Sequence, residues 1–209
     1  MDGGGRRRQG DPSWRTAELV STPVLHVLAG PNGAGKSTFV ARILGPATRL
    51  EFVNADEIAT QFWPGEEESH AYAASRLAEE RRREFLVARQ SFLTETVFSH
   101  QSKLDLIDDA IAVGYLVTLH VVLVPEDLSV ARVEFRVAEG GHTAPEEKIR
   151  ARHRRLWSLV ARARDRAHWT HIYDNGSADH PFRRIASYRR GHLIETADWP
   201  DWAPAELRS

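Results

Sequence analysis

Short apolar runs alternate with longer amphipathic stretches along the 209 residues. Val24-Leu-His-Val-Leu-Ala29 reads as a buried strand. The pattern then predicts a helix from Lys36 to Leu44, closed by Gly45-Pro46. Leu50-Glu-Phe-Val53 reads as a second strand. Residues 69–90, with apolar Ala71, Ala74, Leu77, Phe85 and Leu86, have the spacing of a long amphipathic helix. Ser91-Phe-Leu-Thr94 is a third strand, and a helix over Gln101 to Val113 stops at Gly114. Leu116 to Val124 is the longest β-branched run, which suits a central strand. Pro125 ends it, and Asp127 is placed to cap the next helix. A helix over 145–167 and a fifth strand at His171-Ile-Tyr173 follow. Strands alternating with helices predict a three-layer α/β/α fold around a parallel five-stranded sheet.

Domain organisation follows from the ends. Residues 1–13 are rich in Gly and Arg and are expected to be a disordered arm. One folded domain is expected over 14–198, with a C-terminal tail over 199–209. Trp199 and Trp202 in that tail are placed to dock on the body or to meet a partner.

Composition narrows the chemistry. The chain has no cysteine, which excludes disulfide scaffolds, Cys-ligated zinc, iron–sulfur clusters and thiol catalysis. Basic residues number 28 and acidic residues 29, so net charge does not point to nucleic acid. No apolar run approaches the roughly 20 residues of a membrane span, and no apolar core follows the N-terminal arginines as a secretory signal requires. A cytoplasmic enzyme or binding protein is expected. Only three of the basic residues are lysines: Lys36, Lys103 and Lys148.

Lys36 lies in the strongest motif. Gly30-Pro31-Asn32-Gly33-Ala34-Gly35-Lys36-Ser37-Thr38 matches G-x-x-x-x-G-K-[ST], the P-loop, and it sits between a strand and a helix. Its glycines let successive backbone N–H groups converge on phosphate. Lys36 supplies positive charge to the β and γ phosphates of ATP, the Ser37 hydroxyl can ligate Mg²⁺, and the helix adds the positive end of its dipole.

Two acidic residues follow at strand ends, on the edge where ligands bind in open parallel sheets. Asp56, in Asn54-Ala-Asp56-Glu57-Ile58, can accept the proton of an attacking hydroxyl; its plainer alternative is a helix cap. Glu95, in Thr94-Glu95-Thr96, can bind an acceptor group or a Mg²⁺-bound water; its alternative is an Arg partner. The strand ending at Val124 offers no acidic residue directly at its end, which disfavours a motor.

An Arg-rich helix–loop–helix over about 130–155 then suits a lid closing over the γ-phosphate. Arg132 and Arg136 share a helix face, and Gly140-Gly141 breaks that helix before His142. The second helix carries Arg152 among seven arginines between 150 and 166, offset locally only by Asp165. The rival reading is a nucleic-acid patch, disfavoured by sparse aromatic residues around it. Tyr173-Asp174-Asn175 ends the last strand, and Asn175 is placed to border the nucleotide.

In this order the P-loop, Asn54-Ala-Asp56, Thr94-Glu95-Thr96-Val97-Phe98-Ser99, the Arg132…Arg136…Gly-Gly-His142…Pro145…Arg152 segment and Tyr173-Asp174-Asn175 resemble the zeta toxin family over residues 24–194. The resemblance implies a kinase-type P-loop fold and ATP with Mg²⁺. It also implies phosphorylation of the amino-sugar 3′-hydroxyl of UDP-N-acetylglucosamine, and a small antitoxin partner. It assigns Lys36 and Ser37 to nucleotide and metal, Asp56 to the base and Glu95, with Thr96, to the acceptor side. The lid arginines fall on Arg132 and Arg152, with Arg136 a competitor for the first. Two other classes stand beside this one: a nucleotide or polynucleotide kinase, and a switch-type ATP-binding module without acceptor chemistry.

Overall fold

A computed structural model describes residues 21–96, 98, 100–138 and 145–208. The arm over 1–13 and the Gly140-Gly141-His142 break lie outside these residues.

Strand β1 (Val24–Ala29) runs between β3 (Phe92–Thr96) and β4 (Leu116–Leu123), with β2 (Glu51–Val53) outside β3 and β5 (Trp169–Asp174) outside β4. These five are parallel, as expected. The sheet nevertheless has seven strands rather than five. β6 (Arg183–Arg189) adds antiparallel to β5, and β7 (His192–Leu193) adds antiparallel to β6, giving the order β2-β3-β1-β4-β5-β6-β7. β6 escapes sequence reading because arginines crowd its ends, while the tertiary structure buries Ile185 to Ser187. Arg190 and Gly191 both have positive φ (49° and 76°), which a two-residue hairpin turn of the right hand requires.

The central strands are buried on both faces, so they alternate between two cores. Leu25, Val27 and Ala29 face Phe85, Ile107 and Leu156. These come from α4 (Ala71–Ala88), α5 (Ser102–Ala112) and α7 (Glu146–Arg166), which cover one side. Leu28 and Val122 face Phe39, Val40 and Leu44 on the other. That second layer is one helical rod made of α1 (Lys36–Phe39), a wider π turn (Val40–Leu44) and α2 (Gly45–Thr48). Gly45-Pro46 therefore does not close the helix as expected. Pro46 enters at the first turn of α2, where no N–H is needed, and the π turn before it removes the tight carbonyl register with which its ring would collide. The rod ends at Arg49, in the left-handed region at φ 56°, whose N–H donates to Gly45 O at 2.8 Å.

β2 leads into α3 (Ala55–Phe62), and α6 (Glu126–Ala138) follows β4. Because α6 begins at Glu126, Asp127 lies in its first turn rather than capping it. Three of the arginines of α7 find carboxylates on other elements. Arg150 reaches Glu126, Asp127 and Glu146 at 3.1, 2.7 and 2.8 Å, Arg154 reaches Glu126 at 2.9 Å, and Arg166 reaches Asp108 at 3.0 Å. Part of the local charge excess is thus paired through the fold. The chain end docks as well: Leu207 of α8 (Ala205–Arg208) is buried, its carbonyl accepts from Tyr188 Oη and Arg164, and Trp199 packs at the edge of the larger core. No helix among the described residues is long and apolar enough to cross a membrane.

A polar row runs across the sheet face beneath α1. His26 Nδ1 lies 3.0 Å from His120 Nε2, His120 Nδ1 lies 3.4 Å from the Tyr173 hydroxyl, and His171 Nδ1 lies 3.1 Å from Ser187 Oγ. The Phe39 ring covers Tyr173 at 4.7 Å. Burial holds His120 well below the ordinary histidine pKa, with His26 and His171 adding to the effect. Burial lowers His26 and His171 too; Arg184 pushes His171 further down against Glu195. The folded state therefore favours neutral imidazoles, and the unfolded chain takes up protons first. Stability is full above the unfolded value of 6.5 and is lost as pH falls below it. The urea unfolding midpoint should drop between pH 7.5 and 5.5, and His120→Gln, which cannot titrate, should make that drop shallower.

Candidate active site

The loop after β1 curls because its glycines occupy conformations closed to other residues. Gly33 (φ 72°) and Gly35 (φ 88°) are left-handed, and a Cβ on either would stand 2.7 Å from Ser129 O or Asn175 Nδ2 respectively. Gly35 opens α1, so the next side chain, Lys36, starts the helix pointing into the curl. Lys36 is 5% exposed, and its ammonium donates to Pro31 O at 2.9 Å and faces Glu95 Oε1 at 3.4 Å.

Glu95 reaches the loop because β3 lies beside β1, in register Leu28↔Glu95 and Ala29↔Thr96. Its Oε2 accepts from Ser37 Oγ and from Asn54 Nδ2, each at 3.2 Å. Asn54 uses its other end to cap α3, its Oδ1 accepting from Asp56 N–H at 2.7 Å. Asn54, not Asp56, is therefore the cap. Asp56 lies in the exposed first turn of α3, and among the described residues its carboxylate has no hydrogen bond or ion pair. Burial, with Glu95's charge in second place, raises the pKa of its neighbour Glu57. Thr96 is buried at the end of β3.

Helix α6 grips the loop from the opposite side. Ser129 Oγ donates to Asn32 O at 2.6 Å, while Arg132, three residues on and on the same face, donates to Gly33 O at 3.3 Å and to Asn175 O at 3.0 Å. Burial lowers the Arg132 pKa. Asn175 donates from Nδ2 to Ala34 O at 2.8 Å, so its side chain braces the loop. Arg136, one turn beyond Arg132, and Arg152, on α7, are both exposed; among the described residues neither has a hydrogen bond or ion pair. A cavity of about 280 Å³ opens beside the loop, lined by Gly35, Thr38, Arg42, Arg132, Asn175 and Phe182. A hollow of about 420 Å³ on α7 lies away from the loop, walled by the paired charges Glu146, Arg150 and Arg154.

Of the sequence-derived residues, 30–38, Glu95, Arg132 and Asn175 thus meet around one loop, and Asp56 is linked to it through the Asn54 cap. Asn54 and Ser129 were not among the candidates. Asn54 carried a signal, a cap residue directly before an acidic first turn, whereas Ser129 carried none. The arrangement fits ATP and Mg²⁺: the loop is shaped for phosphate, and the Ser37 hydroxyl and Glu95 carboxylate form an oxygen pair that suits a metal held mainly by phosphate and water. Among the described residues no three His, Asp or Glu side chains are grouped to hold a metal unaided.

Gly33→Ala would force a Cβ against Ser129 O in a left-handed residue. Nucleotide affinity should fall at least about tenfold by fluorescence titration, because the loop and α6 must separate. Ser129→Ala should cost only about 1 kcal/mol of stability by urea unfolding.

Comparison with known proteins agrees with this geometry. No curated protein matches the sequence. Among solved structures, one from the PezAT chromosomal toxin–antitoxin system of Streptococcus pneumoniae superposes with a TM-score of 0.60 at 16% identity, covering 83% of this chain and 75% of that one. AvrRxo1-ORF1:-ORF2 with ATP superposes at 0.63 and 17% identity, covering 83% of this chain and 60% of that one. A chain of the Pnkp1/Rnl/Hen1 RNA repair complex superposes at 0.53 and 20% identity, covering 71% and 48%. At such identities these likenesses show the fold, a kinase-like P-loop architecture. The AAA domain family model matches residues 25–159, from β1 through most of α7, and the chain belongs to that family.

Proposed function

We propose that the protein is an ATP-dependent phosphotransferase that moves the γ-phosphate of ATP to a hydroxyl of a small acceptor, UDP-N-acetylglucosamine or a related sugar. One observation carries this reading: the unpartnered Asp56 carboxylate is tied, through the Asn54 cap, to the Glu95 that joins Lys36 and Ser37. A switch or a binding module needs no acceptor base.

Residues 30–38 bind the phosphates of ATP, and Lys36 turns its ammonium from Pro31 O and Glu95 to the transferring group. Ser37 would hold Mg²⁺, with Glu95 beside it, and the bound metal would neutralise charge on the phosphate oxygens. Asp56 accepts the acceptor's hydroxyl proton as the new O–P bond forms and the bond from Pγ to the β-phosphate bridging oxygen breaks, releasing ADP. Glu95 and Thr96 orient the acceptor. Arg132 stands at the loop, and Arg136 and Arg152 are the lid cations that closure brings toward the transferring group. The base of ATP lies in the cavity beside Phe182. Pairing of Arg150, Arg154 and Arg166 with carboxylates disfavours a nucleic-acid acceptor. The likeness to the PezAT structure supports an antitoxin partner, and a cytoplasmic location belongs to the same reading.

Purified protein incubated with ATP, Mg²⁺ and a panel of nucleotide sugars, free amino sugars, nucleosides and 5′-hydroxyl oligonucleotides tests this by mass spectrometry. One added phosphate is expected on UDP-N-acetylglucosamine or a close relative. Lys36→Ala and Asp56→Asn should each lower turnover at least about 100-fold, the second with ATP binding intact. Wild-type transfer by Asp56→Asn would remove the base assignment, and transfer to oligonucleotides alone would replace the acceptor class.

A further inference from the structure

Much of the cavity beside the phosphate loop is walled by irregular chain. Between β5 and β6, Asn175, Ser177, Ala178, Pro181 and Phe182 all line it. Irregular chain has no ladder of backbone bonds to fix it, so its shape depends on side-chain contacts. One residue of this wall is strained. Phe182 has φ 55°, a left-handed conformation uncommon for a bulky side chain, and such strain persists only where the surroundings enforce it. Its ring meets Phe39 of α1 edge-on at 5.3 Å.

The segment after β7 supplies contacts that enforce it. This segment runs back along β6, where Ile194 N–H donates to Ser187 O at 3.0 Å and Asp198 N–H donates to Ile185 O at 2.9 Å. There the Asp198 carboxylate pairs with Arg183, the residue directly after Phe182, and Arg183 also reaches Asp174 Oδ2 at 3.5 Å. Asp174 Oδ1 accepts from Gly176 N–H at 2.7 Å, which closes a tight turn after β5.

The same segment then covers that turn. Ala203 N–H donates to Pro200 O at 2.9 Å, and the bend so formed sets Trp202 against Gly176. A Cβ on Gly176 would stand 3.0 Å from Trp202 Cζ2 and 3.2 Å from Pro125 Cδ, so the indole and Pro125 close on the backbone there. The bend is itself fixed. Arg208 donates to Pro200 O at 2.8 Å and to Asp201 O at 2.6 Å, and buried Leu207 is anchored through its carbonyl by Arg164 and Tyr188. Trp202 remains 38% exposed, so its place is explained by the Gly176 turn rather than by the core.

We propose that residues 198–208 form a strap that sets the irregular wall of the nucleotide cavity, with Trp202 and Asp198 as positioning residues for the base and ribose of the bound nucleotide. Both act through neighbours: Trp202 through Gly176 and Asp198 through Arg183. The proposal rests on the reading of this cavity as the place of the ATP base, and not on phosphoryl transfer. It divides the affinity in two. The phosphates are held by residues 30–38, which Ser129, Arg132 and Asn175 brace, whereas base and ribose depend on the strap.

Calorimetric titration with ATP and with tripolyphosphate, both with Mg²⁺, separates the two parts, because tripolyphosphate offers the phosphates without base or ribose. Trp202→Ala should weaken ATP binding at least about fivefold and tripolyphosphate binding less than about twofold, and Trp202→Phe should restore most of the loss. Asp198→Asn, at an exposed position, should act in the same direction and serves if Trp202→Ala does not fold. Gly176→Ala should weaken ATP binding too, and by less when Trp202 is already alanine. In turnover, Trp202→Ala should raise KM for ATP with kcat much less changed. ATP affinity unchanged in both Trp202→Ala and Asp198→Asn would overturn the strap. Equal losses for ATP and tripolyphosphate would overturn it as well, since they would mark a general loosening of the fold. Equal affinity of the wild-type protein for the two ligands would remove the base site and the strap together. Strap-dependent ATP binding alongside an empty transfer panel would keep the strap while removing the phosphotransferase reading.

Discussion

A single carboxylate holds the candidate site together. Glu95 stands at the end of β3, between β1 and β2, and takes contacts from Lys36 and Ser37 on one side and from Asn54 on the other. Parallel neighbours make this possible, because all three strands deliver their carboxyl ends to one edge. The phosphate loop and the start of α3 are thereby positioned relative to each other through one side chain. Asn54 completes the link by capping α3, so Asp56 is presented in the first turn with its carboxylate free. The cap thus leaves unspent the carboxylate that the proposed reading takes as the base.

The loop's backbone imposes a second constraint. A chain curled to aim its N–H groups at phosphate turns carbonyls outward, and buried carbonyls need donors. Ser129, Arg132, Asn175 and Lys36 supply them at Asn32, Gly33, Ala34 and Pro31. The start of α6 is therefore part of the loop's own hydrogen bonding. Glycine at position 33 follows from the same contact, since Ser129 O occupies the space of a Cβ.

Arginine serves two physical roles among the described residues. On α7 it cross-links helices through Glu126, Asp127 and Asp108. At Arg132 it satisfies backbone carbonyls at the loop. Sequence distinguishes neither of these, because each depends on which carboxylate or carbonyl another element brings near.

The five parallel strands and the phosphate loop were legible in the sequence, because their signals are local: apolar runs buried on both faces, and glycines at a fixed spacing before Lys-Ser. The strand-end positions of Asp56 and Glu95 followed from the same local order. What remained hidden depends on contacts between distant segments. β6 is a strand because β5 and the docked chain end bury its centre, against the polarity of its own ends. Pro46 continues a helix because a π turn makes room for its ring. Ser129 holds the loop because α6 packs 97 residues away in sequence. Local chemistry determined what each segment can be and which residues can react. Tertiary packing decided which charges are spent on structure and which are left free, because a charge is neutralised by its neighbours in space and not by those in sequence.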